Sequence, residues 1–264
     1  MENKLCFENR AECLANFKRF NDPKHRFKTM FYRTNLLIHT RRVEAITESL
    51  IPIAQQCFIG FDPMRARLIS RYHDDHELVN KFGDVSLQLK LQMGFEEKEK
   101  LIIEEEKSIN KICKLYPKKV EGYYLKEILM HSLYKDCIEA QLHSFADKHD
   151  GFGESIHDLL AGNIVFLEPV FNYQQETFSK RFEKFPLIVD IFDKGLSNQS
   201  GFLQFAPANL FDFFANGSKP ARPHTPLSIY TNSGFSYYES WKEITLKKIP
   251  GALLLLTKQK EFYL

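Results

Sequence analysis

The stretch Leu68-Ile69-Ser70-Arg71-Tyr72-His73-Asp74-Asp75-His76-Glu77 decides how this chain is read. Just upstream, Asp62-Pro63 supplies an N-cap and a first-turn proline, so a helix opens there and carries Met64, Leu68, Ile69, Tyr72 and on to Leu78. An apolar helix interior thus delivers His73 and Asp74 side by side, with Glu77 one turn beyond His73. Burying such groups is costly unless they pair with one another or coordinate a metal.

Outward from this stretch, the apolar residues between about Thr34 and Gly162 recur at helical spacing, and the punctuation between them suits helix caps better than hairpins. The fold class is therefore all-α. A helix is predicted from roughly Phe95 to Leu115, with Glu96 to Lys100 and Glu104 to Lys107 as its solvated face and Ile102, Ile109, Ile112 and Tyr116 as its buried one. The most regular stripe is Ile138, Leu142, Phe145, His149, Phe152, Ile156 and Leu159, ended by Gly162. One more helix is expected around Gln174 to Phe185. Between about Leu196 and Ser240 the chain is crowded with Gly, Pro, Asn, Ser and aromatics. That composition is loop-rich yet too aromatic to be disordered, and it is expected to pack onto the helical part as an irregular extension.

Composition narrows the function classes. The 264 residues carry 36 Lys and Arg against 34 Asp and Glu, for a net charge of +2, and 44% of them are hydrophobic. That is enough material for a large core. A sequence pI near 8.2 falls short of the basic footprint of nucleic-acid binders, so duplex nucleic acid is not an expected partner. Cys6, Cys13, Cys57, Cys113 and Cys137 are odd in number and widely spaced, which fits neither a disulfide framework nor a zinc ribbon, and they read as buried structural thiols. The N-terminal segment has charges of both signs and no apolar core of a signal peptide. The longest aliphatic run, Ala252 to Leu256, is far below the roughly 18 to 20 residues of a spanning helix. A reducing, cytoplasmic setting without membrane contact is the expectation.

His-Asp dipeptides occur at His73-Asp74, His149-Asp150 and His157-Asp158, and only the first sits in an apolar helix interior with a glutamate to follow. Two further donors can meet it from other helices: His39, in Leu36-Leu37-Ile38-His39, and Asp147, in Phe145-Ala146-Asp147, beside the regular stripe. Two imidazoles and two carboxylates suit a divalent ion of mixed N and O preference, such as Mn²⁺, Fe²⁺, Co²⁺, Ni²⁺ or Zn²⁺. Neither a phosphate loop of the Walker type nor a dinucleotide-binding fingerprint is present.

The order His39, His73-Asp74, Asp147 on successive helices resembles the HD superfamily of metal-dependent phosphohydrolases. His73-Asp74-x-x-Glu77 followed by Gly83-Asp84, and Asp147 sixteen residues before Asn163, make it most similar to the bacterial deoxynucleoside 5′-monophosphatase branch. The likeness spans roughly Arg33 to Asn163. It departs from the branch in a longer stretch between Glu77 and Asp84, and in Ile38 where a glutamate is usual.

The resemblance implies an HD-type helical bundle over residues 1–165 and a C-terminal extension over 166–264. His39, His73, Asp74 and Asp147 would be ligands of one divalent ion (Mn, Co, Fe, Ni, Zn or Mg), and Glu77 and Asp84 the acidic residues at the reacting phosphate. Arg33 would bind the phosphate, with Arg19 or Arg26 behind it. The implied reaction is hydrolysis of a phosphate monoester, a (deoxy)nucleoside 5′-monophosphate, with a small-molecule nucleotide as the partner and no organic cofactor; a homodimer stays open. Two alternatives also stay open: another HD activity, on a nucleoside triphosphate, a cyclic nucleotide or guanosine tetraphosphate, or a non-catalytic metal- or nucleotide-binding module.

Overall fold

The computed structural model describes residues 5–22, 30–31, 33–160 and 163–173, and these are almost entirely helical. In order come α1 (Arg10–Asn16), α2 (Leu36–Cys57), α3 (Pro63–Tyr72), a 3₁₀ turn (Asp75–Val79), α4 (Leu87–Gln92), α5 (Phe95–Ile112), the two-residue strands β1 (Lys119–Val120) and β2 (Tyr123–Tyr124), α6 (Leu125–Tyr134), α7 (Ile138–Leu160), a short 3₁₀ turn (Ile164–Phe166) and α8 (Leu167–Asn172). Compactness divides the chain into two units, residues 1–29 with 33–147, and residues 30–32 with 148–264, the division falling within the run of α7. The helix expected around Gln174 to Phe185 and the loop-rich extension lie outside the described residues.

In the first unit the helix starts follow local chemistry. Asn35 caps α2 by accepting from the Ile38 amide at 2.9 Å, and Asp62 caps α3 by accepting from the amides of Met64 and Arg65 at 3.0 and 3.1 Å. The buried side of α2, with Leu36, His39, Val43, Ile46, Leu50 and Ala54, steps by three and four. Thr47 reaches across to Ser70 of α3 at 2.7 Å, which satisfies two hydroxyls that water cannot reach. Leu68, Ile69, Tyr72, Ile109, Ile112, Leu125, Ile128 and Leu129 build a core shared by α3, α5 and α6.

Four expectations are corrected. The α-helix opened by Asp62-Pro63 stops at Tyr72, with His73 as its C-cap, and the chain re-forms as a 3₁₀ turn; His73 and Glu77 therefore do not share one α-helical face. On α5 Leu101 is buried along with the expected Ile109 and Ile112, while Ile102 is exposed, and Glu104 and Glu105 are buried instead of solvated, paired with Lys81 and Lys90 at 3.1 and 3.2 Å. A hairpin interrupts the helical run. Glu121 and Gly122 both take positive φ, 47° and 88°, and turn β1 into β2. The five cysteines are free thiols and half-buried, not buried.

One long-range ion pair locks the 3₁₀ turn. Arg10 of α1 grips Asp75 through Nε at 2.5 Å and Nη2 at 2.7 Å, also reaches the Arg71 carbonyl, and lies over the Tyr72 ring at 4.7 Å. The Asp75 side chain is only 1% exposed, so loss of its partner strands a buried charge. Arg10→Ala is expected to destabilise the chain by about 2–4 kcal/mol in urea unfolding. A change below about 0.5 kcal/mol, the size of an ordinary surface substitution, would show that the pair does not hold α1.

In the second unit, the other two His-Asp dipeptides have structural surroundings. Asp158 is fully buried and accepts from the Phe31 amide at 2.8 Å and from Asn163 Nδ2 at 3.0 Å. His149 is buried too, and burial pushes its pKa down from 6.5 to about 3. Because the unfolded chain takes up this proton first, stability present above about pH 6.5 is lost as pH falls, by about 3 kcal/mol at pH 4. The wild type should therefore lose more stability between pH 7 and pH 4 than His149→Gln does. Equal losses would contradict a neutral, buried His149.

Candidate metal centre

Three donor atoms, from His39, His73 and Asp74, converge in the first unit, and Asp147 adjoins one of them, His39. His39 Nε2 lies 3.1 Å from His73 Nε2, 3.3 Å from Asp74 Oδ2 and 3.3 Å from Asp147 Oδ1, and His73 Nε2 lies 3.1 Å from Asp74 Oδ2. Each arrives from a different local structure: His39 from the first turn of α2, His73 from the C-cap of α3, Asp74 from the residue before the 3₁₀ turn, and Asp147 from α7. The end of α3 matters here. On a continuing helix adjacent residues diverge by about 100°, whereas the break brings His73 and Asp74 to one point.

The tautomer of His73 is set by its neighbours. Its Nδ1 lies 2.8 Å from the Ser70 carbonyl, which can only accept, so Nδ1–H donates and Nε2 is the ring nitrogen turned toward His39 and Asp74. A backbone partner on the far nitrogen is the usual support of a metal-binding histidine. Asp74 Oδ2 is buried without a hydrogen-bond partner, although its carboxylate is surrounded by imidazole nitrogens. Burial alone would raise the Asp74 pKa, but the facing His73 and His39 imidazoles hold it well below the usual carboxylate range. An ionised carboxylate oxygen and two ring nitrogens packed this closely fit a divalent cation: donor types, convergence and the backbone partner on His73 Nδ1 all agree.

Around these atoms lies a second layer of charge. Arg19, only 5% exposed, points Nη1 at Asp84 Oδ2 (3.4 Å) and Asp74 Oδ2 (3.7 Å). Asp84 also accepts from the Phe20 amide at 2.8 Å. Arg19 is held there by its own backbone, since its amide donates to the Thr34 carbonyl at 3.0 Å and Lys18 bridges to Asn35. Glu77 is buried with Oε2 lacking a hydrogen-bond partner. Burial, together with the charges of Asp74 and Asp84, pushes its carboxyl well above the usual range, against the opposing pull of Arg19 and Lys90.

The structure thus brings His39, His73, Asp74 and Asp147 together, with Asp84 joined to Asp74 through Arg19. Arg33 stands half-buried two residues before the cap of α2, and Arg26 lies outside the described residues. Sequence reasoning missed His143, which is buried on α7 with its ring 4.5 Å from that of His73 and its Nδ1 3.4 Å from Ser70 Oγ. Its only sequence signal is its place one residue after Leu142 in the α7 stripe.

Neither a protein-family model nor a curated protein matches the chain. Among solved structures it is similar to an HD-domain phosphohydrolase from Listeria innocua, with a TM-score of 0.52 and 18% identity over 72% of this chain and 89% of that one. The chain has the HD-domain fold. A conserved hypothetical protein from Pyrococcus furiosus shares it, with a TM-score of 0.51 and 19% identity over 70% of this chain and 94% of that one. At these identities the likeness is one of HD-domain architecture. The expectation of an all-α HD-type bundle therefore holds for the described residues. No described helix is long and apolar enough to cross a membrane.

Proposed function

We propose that this HD-fold chain is a divalent-metal-dependent phosphohydrolase acting on a phosphate monoester, a (deoxy)nucleoside 5′-monophosphate. The observation that carries the reading is the convergence of His39 Nε2, His73 Nε2 and Asp74 Oδ2 at 3.1–3.3 Å, with Asp147 Oδ1 3.3 Å from His39 Nε2 and His73 Nδ1 occupied by the Ser70 carbonyl. His39, His73, Asp74 and Asp147 are the proposed holders of the ion. A divalent cation supplies Lewis-acid charge to a phosphoryl oxygen and makes water acidic enough to attack near neutral pH. The fold, shared with the HD-domain phosphohydrolase of Listeria innocua, supports the same reaction class.

The chain's own residues divide the remaining work. Arg19 is proposed to bind phosphate oxygens, the part that the family resemblance gives to Arg33, because its guanidinium lies 3.4 Å from Asp84 and 3.7 Å from Asp74. Asp84 fixes that guanidinium. Glu77 keeps its proton to higher pH than an ordinary glutamate and is proposed to move a proton to or from the reacting group. Chelator-stripped protein resupplied with Mn²⁺, Co²⁺, Ni²⁺, Zn²⁺ or Mg²⁺ is to be assayed on phosphate monoesters, diesters and nucleoside triphosphates. Phosphate release from nucleoside monophosphates in a metal-dependent manner is expected; activity confined to diesters or triphosphates would reassign the substrate.

A further inference from the structure

A second cluster of unlike donors lies in the same unit, apart from the centre described above. Helix α6 ends at Tyr134, and Lys135 takes a left-handed conformation (φ 55°) with its amide donating to the His131 carbonyl at 2.8 Å. This reversal folds Asp136 and Cys137 back over the last turn of α6. As a result a ring nitrogen of His131, a carboxylate oxygen of Asp136 and Cys137 Sγ all lie within 4.8 Å of one another. His131 Nδ1 and Asp136 Oδ1 are already in contact at 2.6 Å, and both residues line a cavity of about 430 Å³ that the Cys113 and Met130 side chains also border. The donors are reachable, with His131 29% and Asp136 55% exposed.

We propose that His131, Asp136 and Cys137 form a second metal site, one that takes a thiophilic divalent ion of the Zn²⁺ or Co²⁺ class and leaves a position open toward the cavity. One imidazole, one carboxylate and one thiolate are the donor types that Zn²⁺ accepts, at about 2.0–2.3 Å each. Ligands at those lengths around a tetrahedral ion stand about 3.3–3.8 Å apart. The three atoms therefore need shifts of under about 1.5 Å, with the 2.6 Å His131–Asp136 contact opening as the ion replaces the shared proton. On binding, nitrogen–metal, oxygen–metal and sulfur–metal bonds form, the Cys137 thiol proton leaves to solvent, and the proton between His131 Nδ1 and Asp136 moves to His131 Nε2, so that the ring stays neutral with its N–H facing away from the ion. A Cys-His-Asp nucleophile is the competing chemistry. The Asp136 carboxylate on His131 Nδ1 is also how such a triad orients its imidazole, so saturable Co²⁺ binding through the Cys137 thiolate is what separates the two.

This inference does not rest on the proposed phosphohydrolase reading, and one probe separates the two sites. His39, His73, Asp74 and Asp147 offer no sulfur, so thiolate-to-Co²⁺ charge-transfer absorption in the near ultraviolet that depends on Cys137 reports the second site and not the first. The full chain, stripped of metal and kept reduced without a thiol reagent, is to be titrated with Co²⁺. The expected result is a saturable charge-transfer band that Zn²⁺ abolishes by displacement, that is absent in Cys137→Ser and that persists in Cys113→Ser. Asp136→Ala, an exposed position that leaves the fold intact, and His131→Ala should each weaken Co²⁺ binding about 10-fold or more. Absence of the band in the wild type, an undiminished band in Cys137→Ser, or wild-type affinity in Asp136→Ala would each overturn the proposal.

Discussion

Asp74→Asn is expected to lose its divalent ion at the centre and, with it, at least about 10³-fold in phosphate release, while the helical circular dichroism signal survives. Asparagine keeps the shape of the side chain and removes the charge that pairs with the ion. Asp74 Oδ2 faces His39 and His73 at 3.3 and 3.1 Å, and without its charge the two imidazoles are left with Asp147 as the remaining proposed carboxylate ligand. The loss should exceed that for a supporting residue, where removal typically costs about 10 to 100-fold. Metal content and kcat are to be measured on the same preparation. Stoichiometric metal with full activity in Asp74→Asn would exclude it as a ligand.

Glu77→Gln is expected to behave differently, losing about 10²–10⁴-fold in kcat while keeping its metal. The backbone amide of Glu77 holds the Asp74 carbonyl at 2.9 Å, while its side chain stands outside the group of donor atoms that converge at His39. What distinguishes it chemically is a carboxyl pushed upward by burial and by Asp74 and Asp84, a condition suited to moving protons and not to holding a cation. If Glu77 merely supported Asp74 through the backbone, the glutamine variant would turn over at the wild-type rate across about pH 5 to 9. That outcome would shift the proton-transfer role to Asp84.

Local chemistry made much of this fold legible. Asp62-Pro63 and Asn35 start helices because their side chains satisfy the first free amides, and the α7 stripe is buried at Leu142, Phe145, His149 and Phe152 as its spacing requires. The break after Tyr72 was not legible. His73 to Glu77 can continue a helix as far as local preference goes, and what stops it is distant: Arg10, 65 residues away from Asp75, anchors the 3₁₀ turn. Glu104 and Glu105 looked solvated for the same reason, since their partners Lys81 and Lys90 come from outside α5. In the centre, residue types could be read because histidine and aspartate in an apolar helix interior are costly and therefore conspicuous. The position of Arg19 could not, because it depends on the Lys18–Asn35 bridge and on Asp84, contacts made by tertiary structure alone.

Whether His39, His73, Asp74 and Asp147 hold one divalent ion in common can be seen by anomalous diffraction from crystals of the Mn²⁺-loaded chain. The expected map has a single strong anomalous peak in direct ligand contact with His39 Nε2, His73 Nε2, Asp74 and Asp147. Mn²⁺ prefers oxygen and imidazole, so it should leave the sulfur-containing site at Cys137 empty. A fully loaded crystal whose peak lies elsewhere, with the two Nε2 atoms and Asp74 Oδ2 still closed on one another, would contradict a shared metal centre.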